Sequence, residues 1–213
     1  MRRVPLRKLL AIVGLAYCAG ALTAHWTWSR MAASASTPRR EPEIEIRPAE
    51  APPHQEPAPA ATIGEIAAVD DLAARRLLVP VEGVSRSDLR QSFTESRNGR
   101  EHAAIDILAL RHTPVRAVAA GRVAKLYASA RGGLTIYQFD ASERYCYYYA
   151  HLERYAEGLE EGLTVERGQL IGYVGTSGNA PPDTPHLHFA IFAMGPGKRW
   201  WEGTPIDPYP VLQ

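Results

Sequence analysis

From Val79 onward apolar residues come in short runs and alternations cut by Gly, Asn, Asp and Pro, the pattern of β-strands joined by tight turns. It predicts strands over 105–108, 115–118, 121–127, 134–139, 145–152, 169–174 and 186–192. In the last of these, period two puts His186 and His188 on one face and Leu187 on the other. In the aromatic-rich run Tyr145-Cys146-Tyr147-Tyr148-Tyr149-Ala150-His151-Leu152 the same period gives Tyr147, Tyr149 and His151 a shared face, a candidate cleft wall, and turns Cys146 away from it. Upstream, Thr62-Ile63-Gly64-Glu65 has the form of a capping box, and Ile66, Val69, Leu72, Ala73 and Leu77 recur near helical spacing. A helix over about 63–78, packed on the domain, is predicted. The expected fold is mainly β with a short N-terminal helix.

Chemistry concentrates at the ends of these strands. Five of the seven histidines fall between 102 and 188, and four of the five sit in His102-x3-Asp106, Ala150-His151-Leu152 and His186-Leu187-His188. Arg97-Asn98-Gly99-Arg100 is a turn signal, so His102 is expected from a loop and Asp106 from the start of a strand. Two nitrogen donors and a carboxylate suit a catalytic zinc ion, whose fourth coordination position stays open. Two imidazoles on one strand face, about 7 Å apart, can serve one site although only one need touch the metal. His25, His54 and His112 sit in no pattern with chemical logic and are read as ordinary residues. Gly132-Gly133 reads as a hairpin or bulge element and not a phosphate loop, since no helix or P-loop lysine comes after it. The Gly175-Thr176-Ser177-Gly178-Asn179 segment reads as a turn bordering the cleft.

Together His102-x3-Asp106, Tyr149-Ala150-His151-Leu152, the Gly168–Gly178 loop and His186-Leu187-His188-Phe189 resemble, in order and spacing, the M23 metallopeptidases, the lysostaphin and LytM-like family. The resemblance runs from about 79 to 211, with Leu78-Val79-Pro80-Val81 at its entry and Thr204-Pro205-Ile206-Asp207-Pro208-Tyr209 at its exit. It implies an antiparallel two-layer sheet with a duplicated hybrid motif. It also implies one zinc ion (Zn2+) held by His102, Asp106 and His188, with His151 and His186 as catalytic histidines outside the ligand set. One of that pair would stabilise the oxyanion while the other orients water or shuttles its proton. The implied activity is hydrolysis of stem-peptide or cross-link bonds in bacterial peptidoglycan. Family members commonly carry Gly where this chain has Ala104, a departure that bears on the backbone's approach to the metal.

Charge and the N-terminus add compartment. A formal net charge of +1, with no basic stripe, argues against nucleic acid as a partner. Arg2, Arg3, Arg7 and Lys8 precede an uncharged run over 9–29, about 21 residues or roughly 31 Å as helix, long enough to span a bilayer. Residues 1–30 are therefore expected to be an inner-membrane anchor with a cytoplasmic N-terminus, a cleaved signal peptide being the alternative. Tyr17 is too large for the position before a lipidated Cys18. Residues 31–61, rich in Pro and Ala without periodicity, read as a linker with a reach of roughly 30 Å. Residues 62–78 form the helix and 79–213 the peptidase-like domain. The only two cysteines, Cys18 and Cys146, are not expected to pair.

The expectation is thus an exported zinc endopeptidase of the envelope or periplasm acting on peptidoglycan, with control by a protein partner or by the helix as a further possibility. The rival is a non-catalytic LytM-like module that binds the wall or activates another hydrolase. Such modules typically lose ligands, whereas all five residues are intact here. A zinc hydrolase acting on a secreted protein would share the chemistry.

Overall fold

The alternation of apolar and polar positions is realised as one long antiparallel system in a computed structural model that describes residues 63–97 and 99–213. The expected anchor and linker segments, with His25 and His54, lie outside the described residues. Among the described residues no helix is long and apolar enough to cross a membrane. Helix α1 (Ile63–Ala74) is followed by β1 (Ser96–Arg97), β2 (Arg100–Glu101), β3 (Ile105–Leu108), β4 (Pro114–Arg116), β5 (Gly121–Ser129) and β6 (Gly133–Asp140). Then come β7 (Tyr145–Tyr155), β8 (Thr164–Val165), β9 (Leu170–Val174), β10 (His186–Ala193) and β11 (Thr204–Ile206). The helix stops short of the predicted 78. Arg76 is left-handed (φ 53°), and Leu77 already bridges to Leu212, because Leu78-Val79-Pro80 favours extended chain.

Strands run β11-β10-β7-β6-β5-β8, with β3 added to β10 and β9 joining β4 to β7, and all these pairings are antiparallel. Gly132 lies in the turn of the β5–β6 hairpin, whose last pair is Ser129↔Gly133. In β7 the side chains of Tyr147 and Tyr149 point into the core with Phe189, Ile191 and Ile136. Tyr149 is fixed there, its hydroxyl donating to Gln138 at 2.8 Å and accepting from the Val118 N–H at 3.1 Å.

Strand β7 is the pivot of the fold. Its first half, through Ala150, pairs with β10, and its second half, from Leu152, pairs with β9. His151 stands at the fork with φ 60°, where the β6–β7 register shifts between Leu134 and Ile136. An extra residue in one strand resets the side-chain phase and re-aims the residues beyond it. The left-handed backbone of His151 is held by its N–H donating to the Gly132 carbonyl at 2.8 Å. The expectation that Tyr147, Tyr149 and His151 share a face is therefore corrected: the tyrosines belong to the core, and the bulge turns His151 to the opposite side.

Candidate metal centre

The open side of the sheet gathers the histidines. His188 lies directly across from Asp106 in the β10–β3 register and from Ala150 in the β10–β7 register, so imidazole and carboxylate project from one face. His102 comes from the loop after β2. Its N–H donates to the Glu95 carbonyl at 2.8 Å, and Ala103, left-handed at φ 54°, donates to the Phe93 carbonyl at 2.9 Å. That turn sets the His102 ring 4.8 Å from the His188 ring. Ala104 is fully buried and free of left-handed strain, so its methyl group is accommodated without disturbing this approach.

Three donor atoms converge. His102 Nε2 stands 3.0 Å from His188 Nδ1 and 3.1 Å from Asp106 Oδ1, and His188 Nδ1 is 3.1 Å from that same oxygen. Together His102, Asp106 and His188 could hold a metal ion. Burial alone would raise the Asp106 carboxyl, but the neighbouring His102 and His188 rings hold it well below the usual carboxylate range. His188 is lowered as well, its burial disfavouring the imidazolium more than Asp106 favours it.

Backbone carbonyls fix the tautomers of the other rings. A carbonyl only accepts, so the ring nitrogen facing it must carry the proton. Ser92 holds His102 Nδ1–H at 3.1 Å, Ser177 holds His151 Nδ1–H at 2.9 Å, and Thr184 holds His186 Nδ1–H at 2.8 Å. In each neutral ring the lone pair is then on Nε2, and that of His102 points into the triangle. The His186 Nε2 lies 3.9 Å from Asp106 Oδ1, too far for a hydrogen bond. The His151 ring sits 5.0 Å from His186 and 5.6 Å from His188. Desolvation pushes the His151 imidazole down to about 4, against the opposing pull of the Ser177 carbonyl. Its folded value lies below the unfolded one, near 6.5, so its contribution to stability is full above about pH 6.5 and lost as pH falls towards 4. Chelator-treated protein is therefore expected to lose urea resistance between pH 7 and 4.5, with a smaller loss in His151→Gln. An equal loss in the variant would remove His151 from the explanation.

Some contributors escaped sequence reasoning. Arg97, in the β1–β2 hairpin, donates to Asp106 Oδ2 at 2.6 Å and to Glu95 at 3.1 Å, leaving Oδ1 for the triangle. Groups that orient a ligand carboxylate tune affinity. Arg97→Ala is expected to weaken metal binding about 10- to 100-fold in a competition titration, and unchanged affinity would refute the role. Ser177 serves twice, its hydroxyl bridging the Leu134 N–H and the Leu152 carbonyl while its carbonyl holds His151. The segment over 175–179 is thus more than a plain turn. It is docked on the β5–β6 hairpin, where a Cβ at Gly133 would sit 2.1 Å from Ser177 Oγ. His112 is exposed and outside the cluster. Cys146 is fully buried, and burial pushes its thiol up. By register it projects from the same sheet side as Tyr148 and Ala150, which corrects the expectation that it points away; it lies between Phe139 and Phe192, beyond the histidine cluster.

The chain is similar to several known proteins. Over 119 residues, 54% of its length, the chain is 38% identical to the L-Ala–D-Glu endopeptidase of Bacillus subtilis (strain 168), of which the match covers 35%. Lysostaphin of Staphylococcus simulans is 30% identical over the same length, 22% of that protein being covered. The chain thus spans about a third or less of the curated relatives it matches. Among solved structures, a Ruminococcus gnavus protein assigned as the glycyl-glycine endopeptidase lytM superposes with a TM-score of 0.55 at 27% identity, covering 66% of this chain and 61% of that one. Helicobacter pylori Csd3 superposes at 0.50 with 26% identity, over 64% of this chain and 33% of that one. The model of peptidase family M23 matches residues 100–208, which include all five residues of the cluster, and the chain belongs to that family.

Proposed function

We propose that this protein is a zinc endopeptidase that hydrolyses peptide bonds of bacterial peptidoglycan. The observation that carries the reading is the triangle of His102 Nε2, Asp106 Oδ1 and His188 Nδ1, with sides of 3.0–3.1 Å. Donors bound at about 2.0–2.1 Å in a tetrahedral zinc site stand roughly 3.3 Å apart, so the triangle opens by only a few tenths of an ångström to take the ion. Two imidazoles and a carboxylate are the donor set of hydrolytic zinc sites. A zinc ion held there would lower the pKa of water and polarise the scissile carbonyl.

The chain's own residues supply the rest. His151 and His186 flank the triangle with their Nδ1 protons committed to carbonyls, so each presents Nε2 to the reacting centre. As neutral bases they can take a proton from water and return it to the leaving amine, and as imidazolium either can donate to the developing oxyanion. The low value of His151 keeps it neutral at neutral pH, ready to accept. His151→Ala is expected to lower kcat about a hundredfold with full metal content retained, and loss of the metal instead would make His151 a ligand.

The wall as substrate is supported by the relatives, among them an L-Ala–D-Glu endopeptidase and lysostaphin. It also fits an exported protein held in the inner membrane by residues 9–29 and working in the periplasm at the end of the 31–61 linker. Incubating zinc-loaded protein with peptidoglycan should release peptide-bearing fragments, and a chelator should stop the release.

A further inference from the structure

The backbone of His151 is one that its own strand does not support. Between the pairs Ile136↔Tyr149 and Leu134↔Leu152 the β6–β7 ladder sets two residues, Ala150 and His151, against Thr135 alone, and His151 is left-handed at φ 60°. A residue other than glycine keeps that conformation only where its surroundings fix it. Two contacts do so. The His151 main-chain N–H donates to the Gly132 carbonyl at 2.8 Å, and its ring Nδ1–H donates to the Ser177 carbonyl at 2.9 Å. The first partner belongs to the β5–β6 hairpin and the second to the 175–179 loop, and these are joined to each other. The Ser177 hydroxyl accepts from the Leu134 N–H at 2.9 Å and donates to the Leu152 carbonyl at 2.6 Å, so it bridges the pair at which the ladder resumes beyond the bulge. The Asn179 N–H donates to the Arg131 carbonyl at 3.0 Å. Gly133 (φ 63°) and Gly178 (φ 74°) pass backbone against backbone, where a Cβ on Gly178 would lie 2.3 Å from the Gly133 nitrogen. These bonds close a ring that runs from the His151 N–H to Gly132, along the chain to Leu134, through the Ser177 hydroxyl and carbonyl, and back to the His151 imidazole.

We propose that Ser177 is a positioning residue for hydrolysis: its hydroxyl holds the β7 bulge at a set width, and its carbonyl aims the His151 ring with the proton on Nδ1. The proposal rests on the wall-peptidase reading above, which gives His151 a proton to move. Ser177 itself touches neither the donor triangle nor the other catalytic histidine, so it acts through His151. A loop carbonyl alone would select the tautomer but would carry the ring along whenever the loop shifted. Because the hydroxyl is bonded to both β6 and β7, the loop cannot slide against the strands without breaking two hydrogen bonds. One hydroxyl oxygen both accepts from an amide and donates to a carbonyl, which an alkyl side chain of the same size cannot do. The demand for such fixing comes from the chemistry. A general base works only within about 2.6–3.2 Å of the proton it takes, and a misplacement of about 1 Å can cost a hundredfold in rate.

The test uses the full chain, zinc-loaded, as wild type, Ser177→Ala, Ser177→Thr and Ser177→Val. The last two are close in volume, and one of them keeps the hydroxyl. The His151 tautomer is read by nitrogen NMR of isotope-labelled histidine, and kcat and KM are measured on a peptidoglycan stem peptide. Wild type and Ser177→Thr are expected to carry the His151 proton on Nδ1. In Ser177→Ala and Ser177→Val part of the population should move to the Nε2–H form, and kcat should fall about tenfold or more while zinc content and KM stay within about twofold. Since Ser177 acts through His151, adding Ser177→Ala to His151→Ala should cost nothing further. A wild type with His151 protonated on Nε2 overturns the proposal before any variant is made. So do wild-type kcat in Ser177→Ala and Ser177→Val, or a full further loss in the double variant. If the wild type cuts no peptide while the tautomer follows the hydroxyl, the clamp on His151 stands and the peptidase reading falls, so the two failures are told apart.

Discussion

His188→Ala is expected to abolish metal binding and to lower fragment release from peptidoglycan by about a thousandfold or more while leaving the domain folded. His188 supplies one corner of the donor triangle and sits opposite Asp106 in register, so its loss leaves two donors where the ion needs three. Folding should tolerate the change because the ring is half-buried on the open face and the core side of β10 keeps Leu187, Phe189 and Ile191. A thermal midpoint within a few degrees of the wild type, with metal content near zero, is the expected pair of readings. A variant that holds its metal and stays active would show that the ligands lie elsewhere.

Asp140→Ala should have the largest effect on stability, about 3–5 kcal/mol, with the metal centre intact in whatever remains folded. Its side chain is 1% exposed at the end of β6, where it accepts from Arg75 at 2.7 Å, from the Tyr145 N–H at 2.8 Å and from the Ser142 N–H at 3.1 Å. This one carboxylate closes the β6–β7 turn and clamps the end of α1 onto it. Its removal leaves a buried backbone N–H without its acceptor and the partly buried Arg75 guanidinium with Asp71 alone. Burial opposes its ionisation, but those hydrogen bonds prevail and hold the carboxyl below its ordinary value. A lowered folded value means the contribution is present above about pH 4 and lost as pH falls through the folded value, so wild type and variant should converge in acid. Urea denaturation at pH 7 and below pH 4 measures both, and a difference under about 1 kcal/mol at pH 7 would show that the clamp contributes little.

How far the sequence can be read depends on the range of each interaction. Period two places His186 and His188 on one face of β10 correctly, because nothing interrupts that strand. The same rule fails in β7, where the bulge at His151 depends on Gly132 and on the fork between β9 and β10, contacts that local pattern does not encode. Periodicity points to Tyr147 and Tyr149 and misses Tyr148, which borders the site, for that reason. The candidate ligand residues are legible through motif and resemblance, but the Asp106–His188 register and the Arg97 contact join positions 82 and 9 residues apart and need the folded chain. The Ser92, Ser177 and Thr184 carbonyls that set the tautomers carry no side-chain signature at all.

The most direct test of a zinc-dependent wall peptidase is to remove metal with a chelator, restore one equivalent of zinc, and weigh the fragments released from peptidoglycan at each stage. The account predicts no release without metal, recovery with zinc, and products whose masses show one water added across a stem-peptide amide. Release that persists without metal, or none from a folded, zinc-loaded protein, would contradict it.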